Sequence, residues 1–206
     1  MWWAAGLHPY YADQSNDAVW TELKHIASDP QFVAVGEIGL DYAKCPIAPD
    51  VQQRAFRRAL DLAIEINKPV VIHCRDAYQD LMPLLRTYAN AFKKIHPDSP
   101  GVVHCFSGDQ SAAEELIAFD FYLGVDGPLT YPNAHALRKI IQHVPLKNLV
   151  IETDSPYLPP QSQRGQRNEP LQIATIGNAL AVLKNQEKEI ISKQLLQNSH
   201  RLYRLK

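Results

Sequence analysis

The sequence predicts an α/β fold, a TIM-type (β/α) barrel, and three observations predict it. Short β-branched runs alternate with amphipathic helical segments along the whole chain, the pattern of parallel α/β architecture. The strands end in ionisable residues, which suits an active site built on the C-terminal rim of a barrel. Neither a Gly-x-Gly-x-x-Gly nor a Walker motif is present, so a dinucleotide or P-loop reading has no footing.

The elements follow in order. Strands are expected at 2–7, 32–36, 70–73, 102–106, 121–125 and 149–153, where Val, Ile, Leu and aromatic residues concentrate. Helices are expected at 17–28, 50–67, 77–91, 110–118, 133–143, 171–185 and 187–197. The clearest is 50–67. Phe56, Leu60, Ala63 and Ile64 recur at spacings of three and four there, with Arg54, Arg57, Arg58, Asp61 and Glu65 mostly on the other face. No linker, repeat or low-complexity segment interrupts the alternation, so residues 1–206 are read as a single domain.

Bulk properties bound the function. With 46% hydrophobic residues the chain can bury a core, and its net charge of −1 supplies no global attraction to nucleic acid or membrane. Anion binding must be local. No apolar run approaches the length of a membrane span. The three cysteines form no Cys-x-x-Cys, so neither a disulfide framework nor a zinc finger is suggested. The expected setting is a reduced, cytoplasmic one.

The strand ends carry the chemistry. They read "GLHP", "GEIGLD", "IHCRD", "HCFSGD", "GVDGP" and "ETDSP". Glu37, His73, His104 and Asp154 sit on four separate strands at the same end. Taken singly, a strand-end histidine is more often a hydrogen-bonding group, and Glu37 could pair with a lysine. Together they form a mixed N/O donor set suited to Zn²⁺, Mn²⁺ or Mg²⁺, one or two ions per chain. A bridging carboxylate with ions roughly 3.5–4 Å apart fits phosphoester hydrolysis.

Neighbouring groups are candidates for substrate contacts. Arg75, two residues after His73, could hold a phosphate or pair with Asp76. His8 in "GLHP" is a substrate contact or a structural histidine. Arg164 and Arg167 lie in the polar loop "QSQRGQRNEP", where a solvated role competes with anion binding. Tyr157 could stack a base or cap the barrel. Cys74 and Cys105 follow candidate ligands directly, so strand alternation turns them toward the helix layer. Cys45 is expected in a loop. His25, His96, His135, His143 and His200 are expected at the surface.

At this point "VAVGEIGLDY", "KPVVIHCRDA", "GVVHCFSG", "YLGVDGPLTYPNA" and "LVIETDSPYLPP" with "RGQRNEP" resemble, in order, the motifs of TatD-type metal-dependent deoxyribonucleases. "GLHP" and "NSHRLYRL" fit as well, so the resemblance covers essentially the whole chain. It implies an amidohydrolase-like barrel with a divalent metal site and phosphodiesterase activity on DNA, often 3′-to-5′ on single strands. Carried onto this chain, Glu37 corresponds to the bridging carboxylate. His73 and His104 correspond to ligands of one ion. Asp154 corresponds to the carboxylate of the other ion, able to take a proton from the attacking water. His8, Arg75, Arg167, Asn168 and Glu169 correspond to positions near the substrate.

Departures from the pattern are also legible. The family's first strand usually ends in His-x-His, and this chain has none. "AAGLHP" matches the third strand, so two βα units of about 30 residues each are expected to be missing. Six of eight barrel strands would remain, with two sheet edges open to self-association. Asp126 in "GVDGP" stands where the family more often has a neutral residue. The loop "DYAKCPIAPD" also departs from the usual run. Two alternatives stay open: a small-molecule hydrolase acting on C–N or C–O bonds, and an inactive truncated form.

Overall fold

The computed structural model describes residues 1–96 and 99–205. Six parallel strands form one sheet in sequential order: β1 (Trp3–Ala5), β2 (Phe32–Asp41), β3 (Val70–Arg75), β4 (Gly101–Val103), β5 (Tyr122–Val125) and β6 (Leu149–Ile151). Among the described residues seven α-helices connect and flank them: α1 (Asp17–Ile26), α2 (Pro49–Glu65), α3 (Tyr78–Ile95), α4 (Gln110–Ala118), α5 (His135–His143), α6 (Ile173–Lys184) and α7 (Lys188–Tyr203). Sequential order in an all-parallel sheet is the winding of a barrel; an open doubly wound sheet reverses its order. All six expected strands and seven expected helices are present.

The two faces of the sheet divide the core. One face carries Val70, Ile72 and Cys74 of β3, Val103 of β4, Leu123 and Val125 of β5 and Leu149 of β6, packed with Phe56, Leu60, Leu81, Leu85, Phe92 and Leu116 from the helices. Fully burying each large side chain of this layer is worth about 1.5–3 kcal/mol. The opposite, inner face holds a smaller cluster: Val102, Tyr122 and Val150, with Val71 packed against them. Leu202 and Tyr203 at the end of α7 join this inner cluster. Arg204 just beyond them donates to the Ile95 carbonyl and to Asn67 Oδ1. The chain's end is thereby fastened to the loops that precede β3 and β4, at the end of the sheet away from the strand C-termini.

Helix starts follow local chemistry. Asn16 caps α1 through Oδ1, accepting from the amides of Ala18 and Val19, and Asp109 caps α4 through the Ala112 amide. Proline begins α2, where its missing N–H costs nothing.

Two expectations need correction here. β2 runs to Asp41, five residues past its expected end, because a register shift between Gly36 and Ile38 lets pairing with β3 resume as Ile38–Ile72 and continue to Asp41–Arg75. His96 is not at the surface. It is 2% exposed, packed near Phe92, with Arg204 donating to its Nδ1 at 2.5 Å.

Candidate metal centre

Strand alternation explains which residues reach the inner face. In β3, Val71, His73 and Arg75 alternate with the helix-facing Val70, Ile72 and Cys74. His73 therefore looks inward at the C-terminal end of its strand. His104 lies two residues after the inward Val102, and its amide still donates to the Ile72 carbonyl at 3.0 Å. In β2, Glu37 sits at the register shift between Gly36, paired with the inward Val71, and the helix-facing Ile38, and its carboxylate turns to the inner side. Gly36 permits this, since a Cβ there would lie 2.6 Å from Val71 Cβ.

These residues converge. His8, Glu37 and His73 present ligand atoms all within 4.8 Å of one another, and so do Glu37, His104 and Asp154. Glu37 belongs to both groups. Its Oε2 is 3.3 Å from His104 Nε2 and 3.9 Å from His8 Nε2. His73 Nδ1 is 3.2 Å from His104 Nε2. With its side chain 40% exposed, Glu37 remains open to the mouth of the site.

The site has carboxylates behind its imidazoles. His73 Nε2 donates to Asp41 Oδ2 at 3.0 Å, which fixes the tautomer and leaves the Nδ1 lone pair, now facing His104 Nε2, as the ligating atom. Asp41 is held in turn by the amides of Ala43 and Lys44. On the other side, Glu152 Oε1 accepts from the Cys105 amide at 2.5 Å and lies 4.0 Å from His104 Nδ1. Gly124 makes room for it, because a Cβ there would sit 2.3 Å from Glu152 Oε1.

Electrostatics divide along the same line. Burial, helped by the charge of the neighbouring histidine, lowers the pKa of His8. Burial lowers that of His73 as well, against the hydrogen bond it donates to Asp41. Burial also opposes a charge on His104, but Glu37, Glu152 and Asp154 outweigh it and push its pKa up to about 9. Its hydrogen bond holds the Glu37 carboxyl below the usual range. Burial raises Asp154, Glu152 to about 7 and Asp126 to about 6.

Other candidates fall in different places. Arg75 is exposed at the rim, beside Asp41 in register. Arg167 is exposed in the loop after β6. Asn168, a candidate substrate contact, is buried, and its Nδ2 donates to the carbonyls of Thr153 and Tyr157. It shapes the loop that follows Asp154. Cys74 faces the helix layer as expected. Cys105 does not follow that alternation: its φ of 46° turns the chain, and its thiol lies within the electrostatic reach of Asp126. Sequence reasoning passed over Asp41 and Glu152. Glu152 was findable by period, two residues before Asp154; Asp41 was not, because it reaches the rim only through the extension of β2 past the register shift.

The donor set suits a divalent cation. It is imidazole and carboxylate without thiolate, a choice that fits Zn²⁺, Mn²⁺ or Mg²⁺ chemistry, and one carboxylate serves both groups. A metal is compatible with what this rim presents.

Comparison with known proteins agrees. An uncharacterised metal-dependent hydrolase of Bacillus subtilis, YabD, is 35% identical over 202 residues, covering 98% of this chain and 77% of the relative. A protein named 3′-5′ ssDNA/RNA exonuclease TatD from Pectobacterium carotovorum is 34% identical over 209 residues, covering 99% and 78%. The crystal structure of YJJV, a TatD homologue from Escherichia coli K12, superimposes with a TM-score of 0.91 at 32% identity, covering 100% of this chain and 77% of that one. Its fold supports the barrel reading. Residues 1–204 match the model of the TatD related DNase family, and the chain belongs to that family of metal-dependent hydrolases.

Proposed function

We propose that this chain hydrolyses phosphodiester bonds of DNA, with a single strand as substrate. The observation that carries the reading is the shared carboxylate: Glu37 completes two ligand groups at one rim. Divalent ions held by His8, Glu37, His73, His104 and Asp154 would supply Lewis acidity, lowering the pKa of a water and offsetting charge on the phosphate.

The chain's own residues account for the rest. Asp41 orients His73. Asp154, held basic by its burial, accepts the proton of the attacking water at its carboxylate. Arg75 and Arg167 are exposed cations on the rim and hold flanking phosphates. His8, beside Glu37 and in ring contact with His73 at 4.8 Å, borders the reacting phosphate. A cytoplasmic setting belongs to the same reading; among the described residues no helix is long and apolar enough to cross a membrane. The unpaired edges of β1 and β6 support self-association.

The test is Mg²⁺- or Mn²⁺-dependent cleavage of labelled single-stranded DNA, with Glu37→Ala as control. Cleavage by the parent chain that disappears in the control is expected. A folded, metal-loaded chain that leaves the strand intact rules the reading out.

One observation favours a second reading, hydrolysis of a C–N or C–O bond in a small neutral molecule. Glu152, Asp126 and Asp154 crowd the same side of the centre, and their charge repels a phosphate. Turnover of lactones or amides without turnover of a phosphodiester would select it.

A further inference from the structure

The loop between β6 and α6 carries groups that the metal centre does not use. Tyr157 lies three residues after Asp154, and its amide donates to the Asp154 carbonyl at 2.8 Å. The turn therefore fixes the Tyr157 backbone directly against that of a candidate ligand. Tyr157 is 69% exposed, a large aromatic surface left in water beside a catalytic rim.

The backbone beneath it is pinned. Asn168 Nδ2 ties together the Thr153 and Tyr157 carbonyls at 2.5 and 2.6 Å, and the Asn168 amide donates to Pro156 at 3.1 Å. Further along, the Arg164 guanidinium stacks 4.2 Å from the centroid of the Tyr131 ring. Tyr131 is itself anchored by its hydroxyl on the Pro159 carbonyl at 3.0 Å. Arg164 pairs with no carboxylate among the described residues. It is a cation already ordered in place, so little entropy is lost when an anion reaches it.

A flat exposed ring and an ordered guanidinium on one rigid loop match the two parts of an unpaired nucleotide. The ring offers a face for a base, and stacking tolerates any sequence. The guanidinium offers a bidentate partner for a phosphate. A duplex keeps its base faces inside the stack and cannot use the ring.

We infer that the β6–α6 loop is a single-strand binding face, with Tyr157 stacking an unpaired base next to the reacting phosphate and Arg164 holding a neighbouring phosphate. This rests on the phosphodiesterase reading above and adds the requirement for an exposed base.

The test uses the full chain with chelator present, so that binding is read apart from catalysis. Fluorescence anisotropy compares a labelled oligothymidylate with an abasic strand of the same length. The parent chain should prefer the base-bearing strand. Tyr157→Ala should lose about ten-fold of that preference, and Tyr157→Phe should keep it. Arg164→Met should weaken both strands alike and flatten the salt dependence. A Tyr157→Ala chain that discriminates as the parent does overturns the inference. Mn²⁺-dependent cleavage of the same oligothymidylate separates the two failures. Cleavage alongside unchanged discrimination overturns the loop's role alone. A folded parent chain that neither binds nor cleaves the strand overturns the phosphodiesterase reading together with this one.

Discussion

Around Glu37 the His8 side and the His104 side are built from opposite chemistry. His8 and His73 are half-buried imidazoles with lowered pKa values, and the carboxylate behind them, Asp41, is anchored by two amides. They are neutral near pH 7 and ready to ligate. His104 is buried among Glu37, Glu152 and Asp154, which hold a proton on it up to about pH 9. One side offers lone pairs. The other must give up a proton before its imidazole can bind a cation. Two ligand groups sharing one residue therefore differ in how strongly protons compete with the metal.

The largest effect should come from the residue they share. Glu37→Ala removes a ligand from both groups, so metal affinity on both sides should fall by more than about 100-fold, the upper range for loss of a mere orienting partner. Metal content after dialysis measures it. Loss on one side only would break the comparison, because Glu37 would then belong to one group.

A smaller effect should mark the His8 side alone. Asp41→Asn keeps the shape but removes the charge that fixes the His73 tautomer. Metal affinity there should fall by about 10–100-fold, with the His104 side little changed. Titration with Mn²⁺ followed by electron paramagnetic resonance resolves the two classes. Equal weakening of both would show that the sides are not independent.

The proton on His104 gives the next effect. Its pKa is raised to about 9, so below that pH the metal-free site is protonated, and binding must displace the proton. Affinity on this side should fall about ten-fold for each pH unit lowered from 9 toward 6.5. The His8 side, with its lowered pKa values, should be nearly flat over the same range. Calorimetry in buffers of different ionisation enthalpy should register about one proton released at pH 7.5. Zero release would mean that His104 binds no metal.

How much of this was legible in the sequence follows from what each residue needs. The order and kind of the elements could be read, because β-branched runs and helical spacing are local signals. That Glu37, His73, His104 and Asp154 gather at one rim could be read because each lies within or just after an apolar strand run, toward its C-terminal side. The extension of β2 could not, since it depends on a register shift against β3 that only pairing reveals. Asn168 looked like a substrate contact from its motif; its burial comes from a loop folding back on Thr153 and Tyr157, a non-local contact. His96 looked exposed for the same reason in reverse, since the partner that covers it, Arg204, lies far along the chain. Cys105 departed from alternation because a positive φ follows β4, and nothing in its neighbours' residue types announces one.

Asp126 sharpens the comparison with the smallest effect. It is 1% exposed, and its Oδ2 has no hydrogen-bond partner. Burial raises its pKa to about 6, above the value near 3.9 expected in the unfolded chain. The folded metal-free chain thus binds this proton more tightly than the unfolded chain does. The stability from that difference is fully present below about pH 4 and is lost as pH rises through 6. Asp126→Asn removes the penalty that remains above that range. The metal-free variant should be more stable than the parent by about 1–2 kcal/mol at pH 8 and show no advantage at pH 4. Thermal unfolding at the two pH values measures it. Repeating the pair with Mn²⁺ added tests the acidic side of the centre as a unit. If a cation there draws on the Asp126 charge, the advantage of the Asn variant at pH 8 should shrink. If the advantage is the same with and without the ion, Asp126 lies outside the field of the His104 side, and the carboxylates that distinguish that side are Glu152 and Asp154 alone.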